Sequence, residues 1–292
     1  MTMTSHMIGQ GGMGKKPLVI FGARGMLGSD LTKACERSGI EYIGLDLPEL
    51  DITDPNMIRS ALDRAGAVVN CAAFTDVDAA EDHASDAFKV NAEAVGRLGE
   101  LAKKAGIWVL HISTDYVFDG KLKRPYTEKD TPNPISTYGR SKLAGEQLLQ
   151  ASGCHYCILR LQWTYGANGK NFVTKLLQKA KTGAELKVVD DQVGSPTSTA
   201  EAAKAICCLI GKRPEGIFHF ASSGYISRFG MAQFILQQMG LSNKLSPCKS
   251  SDYPAKAARP ANSRFNCEKI TPLLDGPIQP WQGPLKEFLE GL

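Results

Sequence analysis

Short apolar runs alternate with amphipathic stretches along most of this chain. Pro17-Leu-Val-Ile-Phe21, Tyr42-Ile-Gly-Leu-Asp46, Ala67-Val-Val-Asn-Cys-Ala-Ala73, Trp108-Val-Leu-His-Ile-Ser-Thr114 and Ile158-Leu-Arg-Leu161 are brief, apolar and rich in β-branched residues. Runs of that kind read as buried parallel strands. Helical patterns separate them. One starts near Ser29, and a long one spans Asp82 to Ala105 with Phe88, Val90, Ala94, Val95, Leu98 and Leu101 as its apolar stripe. Another carries Tyr138 and follows the Pro/Asn/Ser-rich loop Thr131–Thr137. Strands alternating with helices predict an α/β fold with a doubly wound parallel sheet and right-handed crossovers. Ligands of such sheets bind beyond the carboxyl ends of the strands. That rule gathers Gly22–Gly28, Asp46, Ala72–Asp76 and Ser113–Tyr116 along one rim.

The chemistry on that rim is specific. Gly22-Ala-Arg-Gly25-Met-Leu-Gly28 joins the first strand to its helix. Glycines so placed permit a tight turn, close approach of backbone to a pyrophosphate, and close helix–strand packing. The helix amino terminus adds free N–H groups and a positive dipole end. Asp46, ending the second strand, stands where a carboxylate reads an adenosine ribose and repels a 2′-phosphate. Arg24 pulls the other way, because a guanidinium pairs with that phosphate. The sequence therefore leans towards NADH without excluding NADPH. Tyr138 and Lys142 are four apart, one turn on the same helix face. An ammonium there favours the phenolate, which predicts a lowered Tyr138 pKa. An ordinary exposed helical turn also carries Tyr-x-x-x-Lys, so the spacing alone does not identify a site.

The carboxyl half is less regular. Asn171–Thr182, Ser198–Lys212 and Ile226–Met239 read as helices, Leu186–Val189 as a short strand, and Gly216–Ala221 as a strand returning to the sheet. This interleaving predicts a dinucleotide-binding domain over 17–163, with returning segments at about 190–222. A smaller, discontinuous substrate-binding cap takes 164–189 and 223–292. The leader 1–16 has no periodicity and is expected to be disordered, with Ser5-His6-Met7 resembling a cloning remnant.

Composition narrows the class. A chain of 292 residues with net charge +4 and no Lys/Arg block argues against nucleic acid. No apolar stretch reaches spanning length, so no membrane partner is expected. Eight scattered cysteines suit reduced thiols in a cytoplasm better than a disulfide framework. Cys154-His-Tyr-Cys157 has metal-like spacing but no second cluster, and buried strand thiols explain it better than zinc.

Taken together, Gly22-x-x-Gly25-x-x-Gly28, Asn70-Cys-Ala-Ala73, Ser113-Thr-Asp-Tyr-Val-Phe118 and Tyr138-x-x-x-Lys142 resemble the extended short-chain dehydrogenase/reductase family, whose fold is Rossmann-type. Within it, Phe74–Glu81, Trp163-Thr-Tyr-Gly166, Asn171-Phe-Val173, Asp191–Thr197 and Arg259-Pro-x-x-Ser263 resemble the reductases of nucleotide-linked 4-keto sugars. The resemblance spans nearly everything after the leader. It implies that Tyr138 protonates the C4 oxygen, that Thr114 orients it, and that Lys142 holds the nicotinamide ribose. It also implies cofactor contacts from Gly22, Arg24, Gly25, Met26, Leu27 and Gly28, from Asp46, Asp51 and Ile52, and from Cys71, Ala72, Ala73 and Thr75. The sugar side would be lined by Thr75, Val77, Thr114, Asp115, Tyr116 and Trp163, with Arg259 on the diphosphate. A structural hydrogen bond and a catalytic role are equally open for Asn91, as are a salt bridge and phosphate contact for Arg259. Leu161-Gln162 departs from the Thr-Ser commonly found before the tryptophan. Magnesium and a homodimer, both known in the family, stay open because the glutamates involved are not assignable here. An epimerase of the same fold and a non-catalytic binding subunit are the alternatives. Dehydration is disfavoured, because Thr114 is followed by Asp115-Tyr116 rather than an Asp-Glu pair.

Overall fold

The computed structural model describes residues 16–252 and 255–292. The expected leader therefore lies outside the described residues, apart from Lys16. Strand β1 (Leu18–Phe21) leads through the glycine turn into α1 (Met26–Arg37), then β2 (Tyr42–Leu45), α2 (Pro55–Leu62) and β3 (Ala67–Asn70). Helix α3 (Ala94–Ala105), β4 (Val109–Thr114), α4 (Thr137–Ser152) and β5 (Tyr156–Leu161) complete the first half. After these come α5 (Phe172–Ala180), β6 (Leu186–Val189), α6 (Thr199–Lys212) and β7 (Gly216–Phe220). The chain ends with α7 (Arg228–Gln238), β8 (Leu245–Cys248) and α8 (Gln282–Glu290).

Six strands form one parallel sheet in the order β7-β5-β4-β3-β1-β2. Strand addition reverses around β1, which creates the crevice that doubly wound folds use for ligands. Side chains leave a strand alternately to its two faces. Leu18 and Ile20 accordingly join one apolar layer with Leu27 and Leu31 of α1 and Ile206 and Leu209 of α6. Val19 and Phe21 join the opposite layer with Ile58 of α2, Leu98 of α3 and Leu149 of α4. The returning strand β7 pairs with β5 in register from Gly216↔Cys157 to Phe220↔Leu161, as the sequence predicts. Cys157 is a buried thiol inside β5, and all eight cysteines are unpaired.

A third apolar cluster joins α5, β6, α7 and α8 through Leu176, Val188, Ile235 and Leu285, with Trp163 at its border. Local signals seat its helices: Asn171 forms a capping box with Thr174 at α5, and Ser227 accepts from the Gly230 N–H at α7. Among the described residues no helix is long and apolar enough to cross a membrane.

Two elements differ from expectation. Helix α1 starts at Met26, three residues before Ser29, because Gly25 ends the turn in an extended conformation. The long helix expected from Asp82 to Ala105 is broken at His83 and continues as a short helix, Ala84–Phe88, and a π-helical turn, Lys89–Glu93. The π turn holds buried Asn91 against the loop after β3. Asn91 Oδ1 accepts from the Phe74 N–H at 2.9 Å, while Nδ2 donates to the Phe74 carbonyl and to Ser141 Oγ, each at 3.0 Å. A π turn inserts one residue to make such a contact, which a periodicity of 3.6 does not reveal.

Candidate active site

A single cleft of about 1390 Å³ runs along the carboxyl ends of the strands, beneath the third apolar cluster. It exceeds the roughly 300–1,000 Å³ of an ordinary small-molecule pocket, so it has room for more than one ligand. One end is built by the glycine turn. Gly22 has φ +72°, and a β-carbon there would lie 2.7 Å from the Ala72 nitrogen. At Gly28 a β-carbon would lie 2.1 Å from the Gly22 carbonyl oxygen. Only glycine lets turn, helix and β3 approach this closely. Helix α1 has neither a side-chain cap nor an acidic residue in its first turn. Its free N–H groups and positive dipole end are therefore left without a side-chain partner at this end of the cleft.

The second-strand aspartate stands beside that turn. Asp46 Oδ2 accepts from the Arg24 N–H at 2.8 Å, and Oδ1 accepts from the Leu47 N–H at 2.9 Å. The carboxylate thus fixes the turn while lining the cleft. Arg24 does not join the lining. Its guanidinium pairs with Glu49, an exposed ion pair at the surface. Asp51, Ile52, Cys71, Ala72, Ala73, Thr75 and Val77 all line the groove. Asp51 also accepts from the Thr53 N–H, which fixes the loop before α2.

Thr114, Tyr138 and Lys142 meet at the middle of the cleft. Thr114 ends β4 and accepts from the Tyr116 N–H at 3.2 Å. Its hydroxyl donates to Asp115 Oδ1 at 3.1 Å and favours the nearby Tyr138 phenolate. Ser136 caps α4 by accepting from the Gly139 N–H, and Glu81 clamps the next residue. The Glu81 carboxylate accepts from the Thr137 N–H at 2.8 Å and from its hydroxyl at 2.7 Å. Tyr138, the next residue, is therefore held from both sides of the helix start. One turn on, Lys142 is 2 % exposed and donates to the Ile112 carbonyl at 2.7 Å.

The electrostatics overturn one expectation. Burial pushes the Tyr138 phenol above its ordinary pKa, and neighbouring Asp115 and Tyr116 add to the rise against the nearby Thr114 hydroxyl. Lys142 does not lower it. Burial instead pushes Lys142 itself down to about 8, so in the ligand-free site desolvation outweighs the attraction of ammonium for phenolate.

The sugar-side candidates Asp115, Tyr116 and Trp163 line the same cleft, and Tyr116 packs edge-on against Tyr138 at 5.7 Å between ring centroids. Burial pushes Asp115 up to about 6, and its Oδ2 has no hydrogen-bond partner among the described residues. Trp163 is held at φ +45°, a left-handed conformation that is strained for a bulky residue. Arg259 also reaches the cleft, but its guanidinium is paired with Asp78, with Nη2 to Oδ2 at 2.7 Å. Leu161 lines the floor, while Gln162 is buried and accepts from the Ser195 N–H at 3.1 Å.

Some of the lining escaped the sequence. Arg228 at the start of α7 stacks over the Trp163 ring at 3.5 Å, and burial pushes its guanidinium down to about 10. Lys175, Lys179 and Lys187 line the part of the cleft under α5 and β6. None has a local motif; the tertiary fold brings them in. Among the described residues no group of three or more His, Cys, Asp or Glu side chains is arranged to hold a metal ion.

Comparison with known proteins agrees with this geometry. The family model described as "RmlD substrate binding domain" matches residues 16–292. A dTDP-4-dehydrorhamnose reductase of Mycobacterium tuberculosis is 37% identical over 279 residues, covering 93% of this chain and 92% of the relative. A crystal structure of a dTDP-4-dehydrorhamnose reductase from Clostridium acetobutylicum superposes with a TM-score of 0.89 at 38% identity, covering 94% of this chain and 98% of the other. The Bacillus anthracis reductase, crystallised in complex with NADP, gives a TM-score of 0.91 at 32% identity, covering 95% of this chain and 100% of that one. The chain therefore belongs to the family of the dTDP-4-dehydrorhamnose reductases.

Proposed function

We propose that the protein reduces the C4 ketone of dTDP-4-dehydrorhamnose to dTDP-L-rhamnose, taking hydride from NADPH or NADH and a proton from Tyr138. The observation that carries this reading is the convergence of Thr114, Tyr138 and Lys142 on one cleft that begins at an uncapped helix terminus. A dinucleotide pyrophosphate fits the crevice that Gly22 and Gly28 open, and the nicotinamide supplies hydride when bound. The rest is done by this chain's own groups. Tyr138 stays protonated at neutral pH because it is buried, so it is ready to donate as the ketone oxygen gains charge. The Thr114 hydroxyl orients that same oxygen. Thr75, Val77, Asp115, Tyr116 and Trp163 line the sugar side, and Arg259 reaches a substrate phosphate by leaving Asp78. Segments 164–189 and 223–292 form the cap that closes over the sugar nucleotide, and the NADP complex of the Bacillus anthracis relative supports a nicotinamide cofactor.

The test is oxidation of NADH and NADPH, followed by absorbance, on adding dTDP-4-dehydrorhamnose, with the product identified by mass and by chromatography. Substrate-dependent oxidation that yields dTDP-L-rhamnose supports the reading and ranks the two cofactors. Cofactor binding without oxidation would sink it and turn attention to another nucleotide sugar.

A further inference from the structure

Behind the cleft, three buried polar side chains stand in a row: Asn70 at the end of β3, His111 in β4 and Lys142 in α4. Asn70 Nδ2 lies 3.1 Å from His111 Nδ1, and His111 Nε2 lies 3.3 Å from Lys142 Nζ. The hydrogens in this row can be assigned by elimination. A backbone N–H only donates, so the Ala72 N–H, 3.1 Å away, fixes Asn70 Oδ1 as its acceptor. Asn70 must then turn its amide nitrogen, which also only donates, towards His111 Nδ1. That ring nitrogen is therefore the lone-pair side of the imidazole. A neutral imidazole carries its single hydrogen on the other nitrogen, Nε2, which faces Lys142. An imidazolium would set an N–H against the Asn70 amide, and burial together with Lys142 keeps the ring far from that state.

We propose that His111 is a positioning residue for Lys142, presenting a fixed Nε2–H to the lysine Nζ and so easing the loss of the lysine proton. Once Lys142 has given up a proton, its amine accepts from His111 while still donating to the Ile112 carbonyl. An ammonium has no lone pair to accept with, so the same arrangement opposes protonation. Burial already pushes Lys142 down to about 8, and the group still carries its proton at neutral pH. Two groups act in the opposite direction: Cys71 from the loop after β3, and Glu146 one turn along α4. Glu146 is committed to Arg160 and Ser113, and Tyr138 lies one turn before Lys142 on α4.

The consequence rests on the proposed reductase reading. Each turnover moves the Tyr138 proton to the ketone oxygen and leaves a phenolate. A Lys142 ammonium of lowered pKa restores that proton at neutral pH, and the resulting amine recovers its own from water. Raising the pH through the lysine pKa removes this supply, so the rate falls on the alkaline side.

Two measurements test the proposal. The first is long-range 1H–15N correlation of the histidine rings in the ligand-free full chain, which reads the tautomer whatever the substrate is. The expected result is a neutral Nε2–H ring that does not titrate between about pH 5 and pH 9. An Nδ1–H tautomer or a titrating ring overturns the assignment. The second is the pH profile of kcat for His111→Gln and His111→Asn. A glutamine amide nitrogen falls near the place of Nε2, whereas asparagine reaches only the place of Nδ1. His111→Asn should move the alkaline limb up by about one pH unit, while His111→Gln stays close to wild type. Unshifted limbs in both variants, with kcat or KM changed instead, reduce His111 to packing and overturn the role. If neither variant folds, the tautomer in the unaltered protein decides.

Discussion

At the scale of single residues, burial decides the charge states of the site. Tyr138 is held protonated because desolvation exceeds the help of the nearby Thr114 hydroxyl. We expect Tyr138→Phe to fold and bind cofactor while ketone reduction falls by about two to four orders of magnitude, read as kcat beside cofactor affinity. Asp115 shows the same competition from the other side. Its carboxyl is pushed up to about 6 by burial, from an ordinary value of 3.8. The folded state then holds a proton that the unfolded chain has released, so stability falls as pH rises from about 4 to about 6 and stays lower above. Asp115→Asn should remove that slope and raise the thermal midpoint of the ligand-free protein at neutral pH, by up to about 3 kcal/mol of stability. Thermal unfolding across pH checks the sign, and an unchanged slope would count against a buried carboxylate. Asp46 carries a specificity prediction. Asp46→Ser should improve NADPH use relative to NADH, measured as the ratio of kcat/KM values, because it removes a negative charge near the expected 2′-phosphate.

Between residues and the whole lies the element, where helix termini place the chemistry. The start of α1 is left without a side-chain partner, whereas the start of α4 is closed by Ser136 and Glu81. Glu81→Gln keeps the shape but replaces the carboxylate that receives the Thr137 N–H and hydroxyl. It should lower stability by about 1 to 2 kcal/mol in denaturant unfolding and reduce kcat more than it changes cofactor affinity. The sequence showed Phe74–Glu81 only as part of a resemblance. Its physical use, a clamp on the helix that carries Tyr138, spans 56 residues of chain and has no local periodicity. The π turn at Lys89–Glu93 was equally invisible, because its cause is the contact of Asn91 with the Phe74 backbone and Ser141.

Across the whole molecule, a fully buried ion pair ties α4, which carries Tyr138, to the centre of the sheet. Arg160 of β5 donates to both carboxylate oxygens of Glu146, at 2.8 and 2.6 Å, and Ser113 Oγ donates to the same carboxylate at 2.5 Å. Removing one partner strands the other charge in the interior. Glu146→Ala should therefore cost about 3 to 5 kcal/mol in denaturant unfolding, and a loss below about 1 kcal/mol would show that water reaches Arg160. The sequence by itself determined the doubly wound sheet, because strand patterns and glycine spacing are local and repeat along the chain. It likewise singled out Gly22–Gly28, Asp46, Thr114, Tyr138 and Lys142 as candidates that line one cleft, because each lies beside a recognisable strand end or helix turn. Only the tertiary structure decided that Lys142 fails to lower the Tyr138 pKa, that Arg24 turns to Glu49 and Arg259 to Asp78, and that Arg228 covers Trp163. Those outcomes depend on how much water and which distant charges surround each group, and burial and long-range pairing are properties of the folded chain rather than of its local pattern.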